Sequence, residues 1–260
     1  MKMSQNEQLV PIKSKWNGFL NILFIELNDW WKGSDWLVMT LIWIGIGNGI
    51  TALTALGAPD IDLPTMINIF FLFLGFFPPI ATILVMQDSI VGEKRSGTIS
   101  WLLSKPVSRR SFILAKWLGN SINLLTCIVL IPCIIGYLEF FLLTGELLSL
   151  SNYLAGIGIV TINQLFFIGL TLYLGTVMET PGGVAALPMI FNFAQQFLQS
   201  IPYAIYVLPM SLILNQTGNS IVVSIILNQT PFTLIPILTT SLFVILFLLL
   251  AIWKFENTDL

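Results

Sequence analysis

Two groups of side chains have types and spacings that do chemistry. The first is the charged stretch from Gly92 to Lys116, GEKRSGTISWLLSKPVSRRSFILAK, which holds Lys94, Arg95, Lys105, Arg109, Arg110 and Lys116, six of the eleven basic residues. Cations spaced by leucines, a glycine and a proline suit a protein groove or anionic lipid rather than bond-breaking. The second is Asn192, Gln195, Gln196 and Gln199, at i, i+3, i+4 and i+7 on one helical face. Neutral amides in lipid are costly unless paired or wet. The stripe therefore lines a polar path or a subunit seam, or it bonds neighbouring helices within one subunit.

Other chemistry is excluded by residue type. The chain has no histidine, so His-ligated zinc and Ser–His catalysis are absent. No Gly-Lys-Ser/Thr occurs, so there is no P-loop. Cys127 and Cys133 are six residues apart and point to different helical faces, which predicts packing residues and no disulfide. No catalytic, cofactor-binding or metal-binding residue is expected, and no nucleic-acid contact. Glu139 and Glu179 fall near span ends within reach of the interface, so no ion relay is expected.

These groups must be held by membrane helices. The 260 residues are 56% hydrophobic and 9% charged, against about 25% charged in soluble domains. The expectation is one transmembrane domain over 1–260, an all-α membrane protein with six spans: Trp36–Gly57, Met66–Gln87, Trp117–Leu143, Tyr153–Met178, Gly183–Ile201 and Phe232–Trp253. Residues 1–35 form a tail and an interfacial helix, 88–116 a cytoplasmic loop, and 254–260 a second tail. With the N-terminus inside, Lys2, Lys13, Lys15, Lys32, the six loop cations and Lys254 all fall on the cytoplasmic side. Both termini are then cytoplasmic in a multi-pass cell-membrane protein. The polar first fifteen residues predict a retained anchor rather than a cleaved leader.

Trp16, Phe19, Leu20, Leu23, Leu27, Trp30 and Trp31 recur with helical period before span one. This predicts an amphipathic helix lying in the interface with its tryptophans at headgroup level. In the outer loop at 202–231, Tyr203–Leu214 and Ile221–Leu227 are too short to span and read as interfacial or re-entrant pieces. Asn215-Gln216-Thr217 and Asn228-Gln229-Thr230 are either glycosylation sequons or turns. Gly45, Gly47 and Gly49 give span one a small-residue face for close packing. Pro78-Pro79, Pro132, Pro188 and Pro236 each free a carbonyl and are hinges or tolerated kinks.

Within the loop, Val91–Ser104 reads as one helix with Val91, Thr98, Ile99, Leu102 and Leu103 on its apolar face. Lys105-Pro106 ends it, and Ser108 caps a new helix running from Arg109 into span three. The order Glu93, Gly97-Thr98, Leu102-Leu103-Ser104, Pro106, Ser108-Arg109, Phe112, Lys116 resembles the signature of type-2 ABC exporter permeases. That resemblance implies a membrane subunit of an ATP-driven transporter, an exporter, with no ATPase of its own. Its partners would be a separate ABC ATP-binding subunit, a second permease subunit (identical or not) and the bilayer. Glu93, Arg95, Gly97, Thr98, Ile99, Leu102, Leu103, Pro106 and Arg109 would form the coupling helix that docks on the ATPase. Asn192, Gln195, Gln196 and Gln199 would face the translocation path or the dimer seam. The alternatives are an ion-coupled transporter or channel, and a membrane partner of an ABC ATPase that transports nothing.

Overall fold

The computed structural model describes residues 18–58, 60–105, 107–214 and 220–258. Among these residues the chain is all-α. Helix α1 is Phe19–Lys32 and α2 is Asp35–Gly57, with a π turn at Gly45–Gly49. Next come α3 (Leu63–Phe76), α4 (Pro78–Met86), α5 (Val91–Arg95) and α6 (Thr98–Leu103). The long helices α7 (Arg109–Thr144) and α8 (Leu150–Val177) precede α9 (Pro181–Leu198), the short α10 (Ile221–Ile226) and α11 (Ile235–Glu256).

Among the described residues five helical stretches are long and apolar enough to cross a membrane: Asp35–Gly57, Leu63–Arg95, Arg109–Thr144, Leu150–Val177 and Ile235–Glu256. The segment read as span five forms α9, whose Asn192, Gln195 and Gln196 dilute its apolar content. Helix α8 is the hub, touching α3, α4, α7, α9, α10 and α11. Phe70 and Phe71 of α3, Phe140 of α7 and Tyr153 of α8 are fully buried and meet edge-to-face, with centroids 5.0 to 5.9 Å apart. Dispersion of this kind holds helices together in lipid, where apolar burial supplies no drive. Cys127 and Cys133 are buried thiols without a disulfide, as expected.

Helix α1 differs from the expected interfacial helix. Ile22 and Leu23 are buried against α7, with Phe19, Leu27 and Trp30 packed beside them, whereas Leu20, Phe24 and Ile25 are exposed. The apolar residues therefore divide into a protein-facing set and a lipid-facing set. Ile22 and Ile25, which spoil a single amphipathic stripe, belong one to each. The Trp31 indole N–H donates to Asn123 Oδ1 of α7 at 3.1 Å, and the Asn123 amide donates to the Glu26 carbonyl at 3.2 Å. Trp16 lies outside the described residues.

The described residues of the 202–231 segment fold back into the bundle. Turns of 3₁₀ helix at Ala204–Tyr206 and Pro209–Leu212, followed later by α10, bury Met210, Leu212, Ile213 and Ile221–Val223. Asn228 stands at φ 55 in the turn after α10, a left-handed conformation that asparagine tolerates. Asn215–Thr217 lie outside the described residues. Pro236 occupies the first turn of α11, where a missing N–H frees no carbonyl, so it is not a mid-span hinge.

Candidate functional site

The charged loop is rooted in an ion cluster. Lys116, about two turns into α7, has its Nζ 2.6 Å from Glu26 Oε1 of α1 and also pairs with Glu93 of α5. Its side chain is only 8% exposed. Gly119 makes the approach possible, because a Cβ there would stand 2.7 Å from the Glu26 Cβ. Burial raises the Glu26 carboxyl above its ordinary range; Lys116 opposes this and Glu93 adds to it. Two acids share one base, so one buried negative charge is surplus. The cluster ties α1, the loop and α7 at one point.

Two further loop cations, Lys94 and Arg109, cap helices. Lys94 Nζ donates to the carbonyls of Gly175 and Thr176, 3.3 and 2.9 Å away, at the C-terminus of α8. Arg109 Nη1 donates to the carbonyls of Phe255, Glu256 and Thr258 at the end of α11. Arg110 pairs with Glu256. Lys94 and Arg109 each meet the orphan carbonyls and the negative end of a helix dipole. Ser108 caps α7, its Oγ accepting the Ser111 N–H at 3.1 Å, as the sequence predicts.

The loop helix itself is broken. Val91–Ser104 was expected to be continuous, but Gly97 at φ 73 separates α5 from α6. Ser96 N–H still reaches the Gly92 carbonyl, and Gly97 N–H reaches that of Lys94, the pattern of a glycine-terminated helix. The break divides the residues of the expected docking helix. Glu93 turns back to Lys116, Ile99 is buried, Leu102 is half-buried and Arg109 caps α11. Arg95, Gly97 and Thr98 are exposed at the tip, beside Trp101, which is 60% exposed with Lys105 Nζ 3.5 Å from its ring centroid. The Leu103 side chain and Pro106 lie outside the described residues.

The amide stripe has backbone partners. Pro79 has no N–H for the Gly75 carbonyl, and the Ile80 N–H goes to Phe77 instead of Phe76. Both orphaned carbonyls are filled from other helices: Asn163 of α8 donates to Gly75 O at 2.9 Å, and Asn192 of α9 donates to Phe76 O at 3.3 Å. Further along α9, Gln195 Oε1 accepts the Met210 N–H at 2.9 Å and Gln199 donates to Leu214 O at 3.1 Å. Three of the four amides thus bind the kink of the second membrane helix and the folded-back outer loop. Gln196 is exposed.

The pattern of the family described as ABC-2 family transporter protein matches residues 51–260, which contain the loop, the amides and all but the first of the long helices. The chain belongs to the ABC-2 transporter family. It is 27% identical over 117 residues to a probable ABC transporter permease protein NosY of Stutzerimonas stutzeri, covering 44% of this chain and 42% of that protein. A protein of the same description from Pseudomonas aeruginosa is 28% identical over 102 residues, covering 38% and 37%. Each match spans about two fifths of the relative's length. With its long apolar helices, this ABC-2 chain is a multi-pass membrane protein.

Sequence reasoning about this ABC-2 chain missed Glu26, Asn163 and the pairing role of Lys116. Glu26 had one visible signal, an acid on the apolar side of an amphipathic helix. Asn163 had another, a buried amide in a segment with no polar face.

Proposed function

We propose that this chain is the membrane half of an ATP-driven pump, paired with a second permease subunit and moved by a separate ABC ATP-binding subunit. The observation that carries the reading is the contrast between the loop's root and its tip. The root is fixed by Glu26, Lys116 and Glu93, and by the caps on α8 and α11. The tip offers Arg95, Thr98 and Trp101 to the outside. A push on the tip is then passed to α7 and α8, which α5 holds through Glu93 and Lys94, and from α7 to α1 and α11 through Lys116 and Arg109. Export is the direction implied by the resemblance of the loop to exporter permeases.

The same contacts support a reading with six crossings. The loop cations lie at the C-termini of both α8 and α11, so both helices end on the loop side. The chain must return to the far side between Val177 and Ile235. Helix α9, with 18 residues, is about 27 Å long, close to a hydrocarbon core of about 30 Å. The Tyr206 carbonyl accepts from Thr239 in the first turns of α11, which supports a folded-back loop on that far side.

A second reading, a permease-type subunit that passes force to another protein without transporting anything, is favoured by one observation: Asn192, Gln195 and Gln199 are engaged by their own chain rather than lining an open path. Co-expression with a cognate ABC ATPase and affinity capture tests both readings. Arg95→Glu with Trp101→Ala should abolish capture while leaving insertion intact. Capture that survives the pair of substitutions would reject the tip as the docking face. ATP-dependent accumulation in inverted vesicles separates transport from force transmission.

A further inference from the structure

On the half of the bundle away from the loop, Asn48 in the π turn of α2 faces Glu139 of α7. The Asn48 amide donates to Glu139 Oε2 at 2.9 Å and to the Pro132 carbonyl at 3.2 Å. That leaves two acceptors, Asn48 Oδ1 and Glu139 Oε1, buried and without a partner. Asn48 is only 5% exposed. Both residues line a cleft of about 510 Å³ between α2 and α7, walled by Ala52, Ile135, Leu138, Leu142 and Leu143. The rim is apolar and open: Leu142 is 79% and Leu138 56% exposed. Among the described residues no lysine or arginine forms an ion pair with Glu139; Lys94, Arg109 and Lys116 are engaged at the other end of the bundle.

The depth is informative. Glu139 lies five residues from Thr144, the last residue of α7, or about 7.5 Å along the axis. The headgroup layer on each side of the hydrocarbon is about 5–7 Å thick. A helix ending at the membrane surface therefore puts the carboxylate at the boundary between headgroups and chains. Two oxygens are too few to replace the shell of a metal cation, and the walls offer no further ligand. An ammonium group needs only acceptors for its N–H bonds, and it neutralises a buried carboxylate.

The geometry points to a lipid site: the primary-amine headgroup of a bilayer phospholipid, phosphatidylethanolamine in class, donates to Glu139 Oε1 and Asn48 Oδ1 while its acyl chain lies along Leu138 and Leu142. The open apolar rim argues for a ligand that already resides in the membrane, and the single acidic group argues for an amine.

The full chain is purified in detergent with mixed phosphatidylethanolamine and phosphatidylglycerol, and bound lipid is counted by native mass spectrometry. Dodecylamine and dodecanol, which share a tail and differ in the head, are titrated in parallel. Expected are retained phosphatidylethanolamine and at least tenfold tighter binding of the amine than of the alcohol, both lost in Glu139→Gln and in Asn48→Leu. Glu139→Gln keeps the shape of the side chain, and an unchanged gel-filtration profile checks its fold. Amine preference without retained phosphatidylethanolamine would overturn the lipid and leave a free amphiphilic amine as the ligand. Equal binding of amine and alcohol, or a preference that survives Glu139→Gln, would overturn the site. So would a protonated-carboxyl band assigned to Glu139 by infrared difference that is indifferent to amine.

Discussion

Replacing Lys116 by methionine tests the root of the loop most sharply. The substitution keeps the length of an almost fully buried side chain and removes its charge. At 2.6 Å from Glu26, and with an effective dielectric near 20, one such pair carries roughly 6 kcal/mol of gross attraction, most of which offsets the desolvation of the two ions. Removing the base leaves Glu26 and Glu93 facing each other without a counter-ion. Breaking a buried pair from one side costs about 3–5 kcal/mol. Glu26→Gln is expected to behave differently. Burial already holds the Glu26 carboxyl above its ordinary range, so its ionised form is disfavoured, and Lys116 keeps Glu93. The cost of that change should be near zero. The pH dependence has a definite sign. A raised folded-state pKa gives stability that is full below the unfolded value of 4.5 and declines as pH rises through the folded value. Glu26→Gln should flatten that decline. The assay is thermal unfolding in detergent, followed by tryptophan fluorescence between pH 4 and 8, with hydrogen exchange across Val91–Leu103. Equal damage from Lys116→Met and Glu26→Gln, or no damage from Lys116→Met, would refute the surplus-acid argument.

Three further outcomes are expected. Asn192→Leu leaves the Phe76 carbonyl unpaired, as Asn163→Leu does for Gly75; each should lower stability by about 1–3 kcal/mol, and the double mutant measures whether α8 and α9 hold one kink jointly. Arg109→Ala uncaps α11, so amide exchange should accelerate from Trp253 to Thr258 while the rest of the helix stays protected. Gly97→Ala has open space around the added methyl but must hold φ 73, a strain of about 1–2 kcal/mol, so proteolysis at the loop tip should increase with membrane insertion unchanged.

Helix positions were legible in the sequence, because a segment that crosses lipid must be apolar over its whole length. The Ser108 cap was legible for a local reason: a hydroxyl before a helical run has one N–H to accept. The Ser96-Gly97 break was equally local, and the lure of a continuous apolar stripe from Val91 to Leu103 hid it. The ion cluster and the proline clamps were not legible. Glu26, Glu93 and Lys116 lie far apart in the chain and share no periodicity. Asn163 and Asn192 match Gly75 and Phe76 only once three helices are packed. The two faces of α1 show the same limit: hydropathy marks Leu20 and Leu23 alike, although one meets lipid and the other meets α7.

Site-specific photo-crosslinking tests the central claim most directly. A photoreactive residue in place of Trp101, at the loop tip, should cross-link to the ABC ATPase in membranes, with a yield that changes when ATP is added. The same group in place of Leu142, at the opposite end of the bundle, should label lipid alone. A Trp101 position that captures no ATPase, or that a membrane-impermeant reagent reaches from outside the cell, would contradict the account.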